Sequence, residues 1–460
     1  MKRLLCTLLA LVSIFAVCSC SCIRSDEKYD YDLSEYMSLP NYKGMTFDVE
    51  EDEIKQAIAV YLMQFASEYT VKRGDKIQVD IKFYSRAEGI DAKDKEITEL
   101  RQEGIWLDNV ATPNSNGDYQ ISSQVENGVL GAKIGATVSK VFDINNDFFS
   151  EEYRGQRIFV DTTIKNRECQ PGDVLTASYT GYHIDSDGKI IKENGKEKIF
   201  DSSDNSPFYI GSHLAIDDVE NGLIGMTIGT EKDIYATFPT DYTPDKTLAG
   251  KKVLFRVKVK SVFTPATYDD DFVQTHFTTF KTTTEFEESL IRECTLEKVY
   301  SYIDANTQIF EYPSAEYDFS EEQLASMASL WYQQYSITLD QYIKNQYNMT
   351  IDQYIKSNMK SEMIFYYLRD LIGADAVPTE TELVAMKESL IQSAKNDYMS
   401  SQGLTESQAI VEANEYIEAL GESYVYEQVM YSKIDEIIPT QVKTNYIKAT
   451  KEYVFDAKTK

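Results

Sequence analysis

Two segments in which apolar and polar residues alternate constrain the fold of this chain more than any other feature. They cover residues 172–181 and 250–260. A period of two is typical of a β-strand with one buried face. The sequence therefore predicts an antiparallel sheet within residues 172–263.

The chain between these two strands carries a set of short motifs. Phe200 and Asp201 form an aromatic–carboxylate pair, a turn and a helix cover 219–229, and a loop with two prolines covers 238–244. In this order the motifs resemble an FKBP-type peptidyl-prolyl isomerase domain, in the form found in trigger factor. The resemblance implies a half-barrel of antiparallel sheet and short helix, for which we expect the bounds 169–263.

Rotation about an X-Pro bond faces a barrier of ~18–20 kcal/mol because of amide resonance. A catalyst of this rotation needs no nucleophile, no metal and no cofactor. It needs a dry aromatic pocket for the proline ring and donors that hold the flanking carbonyls while the amide twists.

The resemblance assigns these roles to residues of the 169–263 domain. The pocket would be lined by Tyr179, Phe200, Ile216 and Phe255, with Asp201 as the buried acceptor that orients it. The backbone N–H of Ile216 and a loop residue near Tyr242 would supply the donors. The alternative is that each aromatic side chain is simply part of the core of a small half-barrel.

Two positions depart from the family pattern. Val219 stands where the family has an aromatic residue at the pocket floor, and Asp218 replaces the usual glycine before it. Because an aromatic side chain buries about 150–250 Å², the valine removes contact surface. We expect a reduced rate.

Residues 70–168 repeat the pattern of the isomerase-like domain. Three segments there parallel 172–179, 219–229 and 250–260, namely 74–81, 125–135 and 155–165. Repetition at this spacing indicates two tandem copies of one fold. The first copy lacks the implied chemistry, and we expect it to serve as a spacer or a client surface.

The loss of chemistry in the first copy is visible at three places. Ile81 stands in place of Tyr179, Val160 stands in place of Phe255, and the nearest match to the Phe-Asp pair is Trp106–Asp108, which we interpret as a coincidence or a remnant. The charged segment 91–104 is predicted to be a surface insertion.

The first residues are typical of a secreted lipoprotein. Residues 1–19 combine a positive start with an apolar run too short to span a membrane. A bacterial lipobox pattern follows, in which Cys20 is the favoured lipidated residue and Cys18 and Cys22 fit less well. The alternative is a cleaved signal with incidental cysteines.

An acidic tether with a short strand at its end is predicted for 20–50, and a linker helix for 51–69. Ile54, Ile58 and Leu62 lie on one stripe of that helix. Nothing in the sequence resembles the basic ribosome-docking domain of trigger factor.

Charge and composition exclude several classes of function. The formal net charge of −29 argues against nucleic-acid binding, which relies on Lys and Arg at the phosphates. The low number of histidines, three, and cysteines without ligand-like spacing argue against a metal site. We therefore expect neither metal nor cofactor.

Residues 264–460 are predicted to be helical. Helix-start patterns recur there at Thr282/Glu285, Ser320/Gln323, Thr338/Gln341, Thr350/Gln353, Thr379/Glu382 and Thr405/Gln408. This part resembles the C-terminal chaperone domain of trigger factor and the arms of SurA-type foldases. The resemblance implies a cradle for unfolded chains.

Apolar residues of this helical part are candidates for the client-binding face. The residues named for this role are Trp331, Tyr332, Tyr335, Met363 and Phe365. Met and aromatic side chains adapt to varied partners. At helical spacing they are also typical of a core.

Taken together, these features predict an α+β multidomain chain with two tandem FKBP-like half-barrels followed by an all-α chaperone domain. The expected function is an extracytoplasmic foldase, lipid-anchored to the bacterial membrane, that isomerises X-Pro bonds and holds unfolded exported proteins. A holdase without isomerase activity, or a surface binding or adhesion lipoprotein, are the alternatives.

Overall fold

The computed structural model describes residues 29–87 and 92–456. The predicted signal segment, 1–19, and Cys20 lie outside them. The chain forms two compact units. The helical unit contains the described residues up to Val49 together with Ile291–Tyr446, and the sheet unit contains Glu50–Leu290 with the described residues from Ile447 onward. The fold is mixed α+β, with a helical C-terminal region.

The strands of the described residues are β1 (Met37–Ser38), β2 (Thr46–Glu50), β3 (Ser67–Glu68), β4 (Ile77–Arg86), β5 (Lys93–Glu96), β6 (Gln102–Leu107), β7 (Thr137–Asp143), β8 (Arg157–Arg167), β9 (Val174–His183), β10 (Lys192–Glu193), β11 (Lys196–Glu197), β12 (Ile199–Tyr209), β13 (Glu231–Thr237), β14 (Lys252–Thr264), β15 (Gln308–Ile309) and β16 (Lys443–Ile447).

The α-helices are α1 (Glu51–Gln64), α2 (Ser123–Gly128), α3 (Asp217–Leu223), α4 (Asp270–His276), α5 (Thr283–Asn306), α6 (Ser314–Tyr335), α7 (Leu339–Tyr347), α8 (Ile351–Ile372), α9 (Glu380–Gln402) and α10 (Glu406–Ile437), the last kinked at Gly421. Among the residues covered by the structure, no helix is both long and apolar enough to cross a bilayer.

Two antiparallel sheets of the same strand order form the sheet unit. The first is ordered β5-β4-β8-β7 with β6 also on β4, and the second is ordered β12-β9-β14-β13 with β3 on β14. In the first sheet Phe83 pairs with Val160, and in the second Gly181 pairs with Phe255. The predicted strands at 172–181 and 250–260 are confirmed as β9 and β14.

The alternation of β4 explains how its sheet packs. Ile77, Val79, Ile81 and Phe83 are buried, while the residues between them are partly exposed. The segment 92–104, predicted to be a surface insertion, is instead part of this sheet. It contains β5 and the start of β6, which pair with β4, because strand pairing satisfies backbone groups whatever the charge of the side chains.

A buried ion pair lies where the two sheets meet. The guanidinium of Arg167, at the end of β8, donates to both carboxylate oxygens of Asp173 at 2.9 and 2.7 Å. It also stacks 4.2 Å from the ring centre of Tyr69, whose hydroxyl donates to Asp75. Burial raises the pKa of Asp173 even though Arg167 opposes this effect.

The helix-start predictions hold at four places in the helical unit. Thr338, Thr350, Thr379 and Thr405 each form a reciprocal capping box. The prediction at Ser320 is wrong, because this residue lies inside α6 and its hydroxyl donates to the carbonyl of the residue one turn earlier. At the start of α5, the Thr282 hydroxyl accepts from the Glu285 N–H as expected.

The acidic tether is also corrected for its described part, 29–45. Tyr29, Leu33, Met37 and Tyr42 are all at most 2% exposed and belong to the core of the helical unit. Their burial removes apolar and aromatic surface from water, which outweighs the acidic character of the segment between them. The short strand expected at the end of this segment is present as β2.

Candidate functional site

The candidate site lies on the second sheet, at the position where β9, β12 and β14 run side by side. Tyr179 is on β9, Phe255 is on β14, and Phe200 and Asp201 are at the start of β12. Tyr179 pairs with Val257, and Phe255 pairs with Gly181. Neighbouring strands therefore bring residues from distant parts of the chain to one place.

The aromatic side chains form one continuous group. The ring centres of Phe200 and Phe255 are 5.5 Å apart and nearly perpendicular, and those of Tyr179 and Phe255 are 5.9 Å apart. Such edge-to-face arrangements are favourable for aromatic pairs. Tyr179 and Phe200 are half-buried, so the group combines an apolar wall with access from solvent.

The carboxylate of the site is held by the phenol beside it. The hydroxyl of Tyr179 donates to Oδ2 of Asp201 at 2.6 Å, and the N–H of Ser202 donates to Oδ1 at 2.9 Å. Burial, followed by this hydrogen bond, raises the pKa of Tyr179, so the phenol stays protonated at neutral pH. Asp201 was expected to be buried, but it is exposed, because the start of β12 lies at the edge of its sheet.

The two positions predicted at the floor of the site, Asp218 and Val219, lie at the start of α3. Val219 is 3% exposed and packs in the same apolar cluster as Phe255. Asp218 accepts a hydrogen bond from the Thr237 N–H at 3.0 Å, which ties the helix start to the end of β13.

The backbone of Ile216, whose N–H is predicted to be a donor of the site, lies at the start of α3. Ile216 is the N-cap residue of α3, and its carbonyl accepts from the Val219 and Glu220 amides at 2.8 and 3.2 Å. Among the described residues, nothing accepts a hydrogen bond from the Ile216 N–H. This amide is therefore available to a bound carbonyl.

Two aromatic residues of the site were not assigned from the sequence. Phe238 lies 5.8 Å from Phe200 and 4.7 Å from Tyr242 between ring centres, and Phe208 lies 6.1 Å from Tyr179. Phe238 directly precedes the loop proline, which was the available signal. Phe208 follows a β-bulge in β12, which breaks the alternation from which its side could be predicted.

Gly181 leaves the space in which Phe200 sits. A Cβ built on Gly181 would lie 2.5 Å from Cζ of Phe200, far inside van der Waals contact. The equivalent position of the first sheet is Phe83, which is fully buried. In the first sheet, the side chain of Phe83 thus fills the place that Phe200 occupies in the second sheet.

Comparison with known families agrees with this geometry. Residues 165–260 match the family described as FKBP-type peptidyl-prolyl cis-trans isomerase. Residues 165–260, which contain most of the second sheet, form an FKBP-type domain. It accounts for about a fifth of the chain, so the match describes this domain and not the protein as a whole.

Curated relatives extend the similarity beyond the FKBP-type domain. Trigger factor of Nitrosomonas eutropha is 30% identical over 206 residues, which cover 44% of this chain and 41% of that protein. Trigger factor of Lachnoclostridium phytofermentans is 30% identical over 232 residues, which cover 47% and 51%. The chain is therefore similar to trigger factor over part of its length, and it spans about half the length of these relatives.

A solved structure of the trigger factor chaperone covers 66% of this chain and 79% of its own, at 12% identity and a TM-score of 0.19. At that score the likeness carries no argument.

The first sheet differs from the FKBP-type domain at each functional position. Ile81 and Val160 are at most 1% exposed and belong to the core. Phe83 packs 5.7 Å from Phe148. Asp108 forms an ion pair with Lys76 at 3.5 Å, just beyond the end of β6.

The candidate client-binding residues fall into four groups. Tyr332 is 57% exposed. The side chains of Trp331 and Tyr335 lie outside the described part of the structure. Met363 is fully buried in the core of the helical unit and cannot contact a client, so for this residue the prediction is wrong. Phe365 is half-buried and packs on Tyr431 at 4.5 Å between ring centres, and its role stays a prediction.

The described residues contain no group of three His, Cys, Asp or Glu that could hold a metal ion. The two described cysteines, Cys169 and Cys294, are both buried thiols outside any disulfide. The expectation that no cofactor is needed stays a prediction.

Proposed function

We propose that this protein is an extracytoplasmic, membrane-anchored foldase. The FKBP-type domain would isomerise X-Pro bonds, and the helical unit would hold unfolded exported polypeptides. The convergence of Tyr179, Phe200, Asp201 and Phe255 on one aromatic wall is the observation that carries the proposal. The similarity to trigger factor supports both halves of it.

The chemistry follows from the arrangement of the wall. The proline ring would pack against Phe255 and Phe200 and so be removed from water. The Ile216 N–H would donate to a flanking carbonyl. Because a twisted amide has lost its resonance, its carbonyl is less polar and the dry pocket tolerates it better than water does. Catalysis is the difference in binding between the twisted and planar forms.

The isomerase proposal is tested by refolding a client whose folding is limited by proline isomerisation, with the full chain as catalyst. Phe255→Ala should lower the acceleration about tenfold, since loss of one aromatic wall is expected to remove ~1.4 kcal/mol of transition-state binding. Phe83→Ala makes the same chemical change in the first sheet and should leave the acceleration unchanged. Equal loss in both variants would contradict the proposal.

The holdase alternative is favoured by one observation, the aliphatic floor at Val219. It predicts that the wild-type chain suppresses aggregation of an unfolded client but does not accelerate proline-limited folding. The foldase proposal predicts both effects, and it predicts that Phe255→Ala lowers the second about tenfold while retaining the first. Assays of client aggregation and of proline-limited refolding, made on the same protein preparations, distinguish the holdase from the foldase.

The first sheet is proposed to be a second FKBP-like copy without chemistry. Its strand order equals that of the FKBP-type domain, and the buried carboxylate of Glu126 in α2 corresponds to Glu220 in α3. Glu126 accepts from the Ile121 and Ala111 amides, much as Glu220 accepts from the loop before α3. A copy of this kind would act as a spacer or client surface.

The location is proposed from the sequence of residues 1–22. Metabolic labelling with a radioactive fatty acid in a bacterial host should mark the wild-type protein. Cys20→Ala should lose the label, whereas the matched variants Cys18→Ala and Cys22→Ala should keep it. Secretion of an unlabelled wild-type protein would support the surface-binding alternative or a plain signal peptide instead.

A further inference from the structure

The C-terminal segment 447–456, termed the strap, packs on the FKBP-type domain at the loop before α3. The N–H of Val454 donates to the Gly211 carbonyl at 3.2 Å. Its side chain lies 3.1 Å from the place where a Cβ of Gly211 would be, and 3.3 Å from that of Gly172. Tyr453 is only 2% exposed. The strap is therefore a packed part of the sheet unit.

The strap is fastened at a second place, the start of α1. The hydroxyl of Tyr453 donates to Oδ1 of Asp52 at 3.0 Å, and the Thr450 N–H donates to Oδ2 of the same carboxylate at 3.2 Å. The Ala449 N–H donates to Glu51 at 2.9 Å. These bonds hold the strap while its other side faces the loop before α3.

His213 connects the strap to the helix that carries the pocket floor. One ring nitrogen, Nδ1, lies 2.7 Å from Oδ1 of Asp217, and the other, Nε2, lies 3.1 Å from the carbonyl oxygen of Glu452. Lys451 of the strap lies 3.4 Å from the same Asp217 carboxylate. Burial acts to raise the pKa of Asp217, but the bond to His213 and the charge of Lys451 lower it overall.

The loop held in this way leads directly to the Ile216 amide. From one side, the buried carboxylate of Glu220 accepts from the amides of Gly211, His213 and Ala215 at 2.8, 3.2 and 3.0 Å. His213 itself has a left-handed backbone with φ of +57°. From the other side, the loop is held through the His213 ring and the strap. Ile216 follows between these two supports.

We propose that His213 is a positioning residue for the isomerase site. Its ring joins the strap to Asp217, and this connection, termed the clasp, keeps the direction of the Ile216 N–H. This inference rests on the proposed function. The Ile216 donor must stay at hydrogen-bonding distance from a carbonyl on a proline that is packed on the aromatic wall. A misplacement of about 1 Å can cost up to 10²-fold in rate.

The test compares two replacements of His213 in the full chain. Glycine adopts a left-handed backbone without strain, so His213→Gly removes the ring alone. It should lower the acceleration of proline-limited refolding about threefold to tenfold and shift the Ile216 amide signal in an isoleucine-labelled NMR spectrum. His213→Asn tolerates the same backbone and keeps a side-chain donor, so it should recover part of the rate. The matched control His276→Ala, in α4, should change neither readout.

A second variant separates the strap from the ring. Val454→Asp places a carboxylate against Gly172 and Gly211 and should release the strap, with the same loss as His213→Gly. The double variant should lose no more isomerase activity than either single variant, because both substitutions break the same connection between His213 and the strap. Additive losses, or an unchanged Ile216 signal in His213→Gly, would overturn the inference. A wild-type chain without isomerase activity would instead overturn the proposed function. The Ile216 signal in His213→Gly would still show whether His213 positions that amide.

Discussion

Gly181 and Phe83 occupy the same place in two sheets of the same strand order, and the difference between them has a direct consequence. Where the strand has no side chain, the ring of Phe200 enters and forms the aromatic wall. Where the strand carries a phenylalanine, that ring fills the space and no wall can form. The difference at this position is therefore one of those that separate the first sheet from the sheet that carries the aromatic group.

Gly181→Ala should lower isomerase activity about tenfold, because the new methyl group displaces the Phe200 ring. The fold should lose about 1–3 kcal/mol, the usual cost of overpacking. Urea unfolding and proline-limited refolding measure the two effects. Gly128→Ala, which adds a methyl group 3.1 Å from the Phe142 ring in the first sheet, is the control and should leave the rate intact. A Gly181→Ala protein with full activity would show that Phe200 is dispensable.

At the scale of elements, β8 and β9 are joined through charged groups that are removed from water. Arg167 is 1% exposed and Asp173 is 8% exposed. A buried charge without its partner is costly, whereas the complete pair can be neutral. The ion pair of Arg167 and Asp173, together with Tyr69 and Asp75, therefore couples the end of the first sheet to the start of the second.

Arg167→Met should destabilise the sheet unit by about 3–5 kcal/mol, since it leaves Asp173 buried without its cation. Arg256→Met removes an exposed pair with Asp233 and should cost no more than ~1 kcal/mol. Urea unfolding of both variants gives the comparison. Similar losses in the two would show that burial of Arg167 adds nothing.

The helix pair α9 and α10 is joined by an ion pair whose strength depends on pH. Glu382 accepts from Lys433 at 2.7 and 2.9 Å, and this bond together with those from Thr379 lowers the pKa of Glu382 to about 2. A carboxyl with a lowered pKa stabilises the fold above its unfolded pKa. That contribution is lost as the pH falls through the folded pKa.

Glu382→Gln should therefore lower Tm at pH 6, and the difference from the wild type should shrink as the pH falls from about 4.5 towards 2. Thermal unfolding by circular dichroism at several pH values measures this. Glu406→Gln removes the more exposed pair with Lys395 and should change Tm little. A Tm difference that stays constant with pH would contradict the assignment.

At the scale of the whole molecule, client binding has to come from surface that the fold leaves apolar and exposed. The buried Met363 does not meet this condition. Val384 of α9 and Val411 of α10 do, with 51% and 53% exposure. They lie on helices that pack against each other through Leu383, Met386, Ile417 and Leu420, so the pair of helices can offer apolar surface without losing its own core.

Replacement of both Val384 and Val411 by Asp should weaken suppression of client aggregation by a factor of about two to five, because charge disfavours burial of apolar client surface. Light scattering of an unfolded client at several chaperone ratios measures the effect. Ile224→Asp, at an exposed position of the FKBP-type domain, is the control. Equal loss in control and double variant would place client binding elsewhere.

Local patterns in the sequence determined the elements of this protein. Alternation over 172–181 and 250–260 predicted two strands, and threonine three residues before Gln or Glu predicted five helix starts. The Phe200–Asp201 pair predicted where the site would lie. Each pattern is local, because strand alternation and helix caps depend on residues within a few positions of one another.

Only the tertiary structure decided which of these residues are buried and what covers them. The segment 29–45 joins a core built from helices about 300 residues later, Asp201 lies exposed at a sheet edge, and the strap at 447–456 returns to the loop before α3. The physical reason is that burial and long-range pairing are set by competition among all apolar surfaces of the chain, which no short stretch of sequence contains.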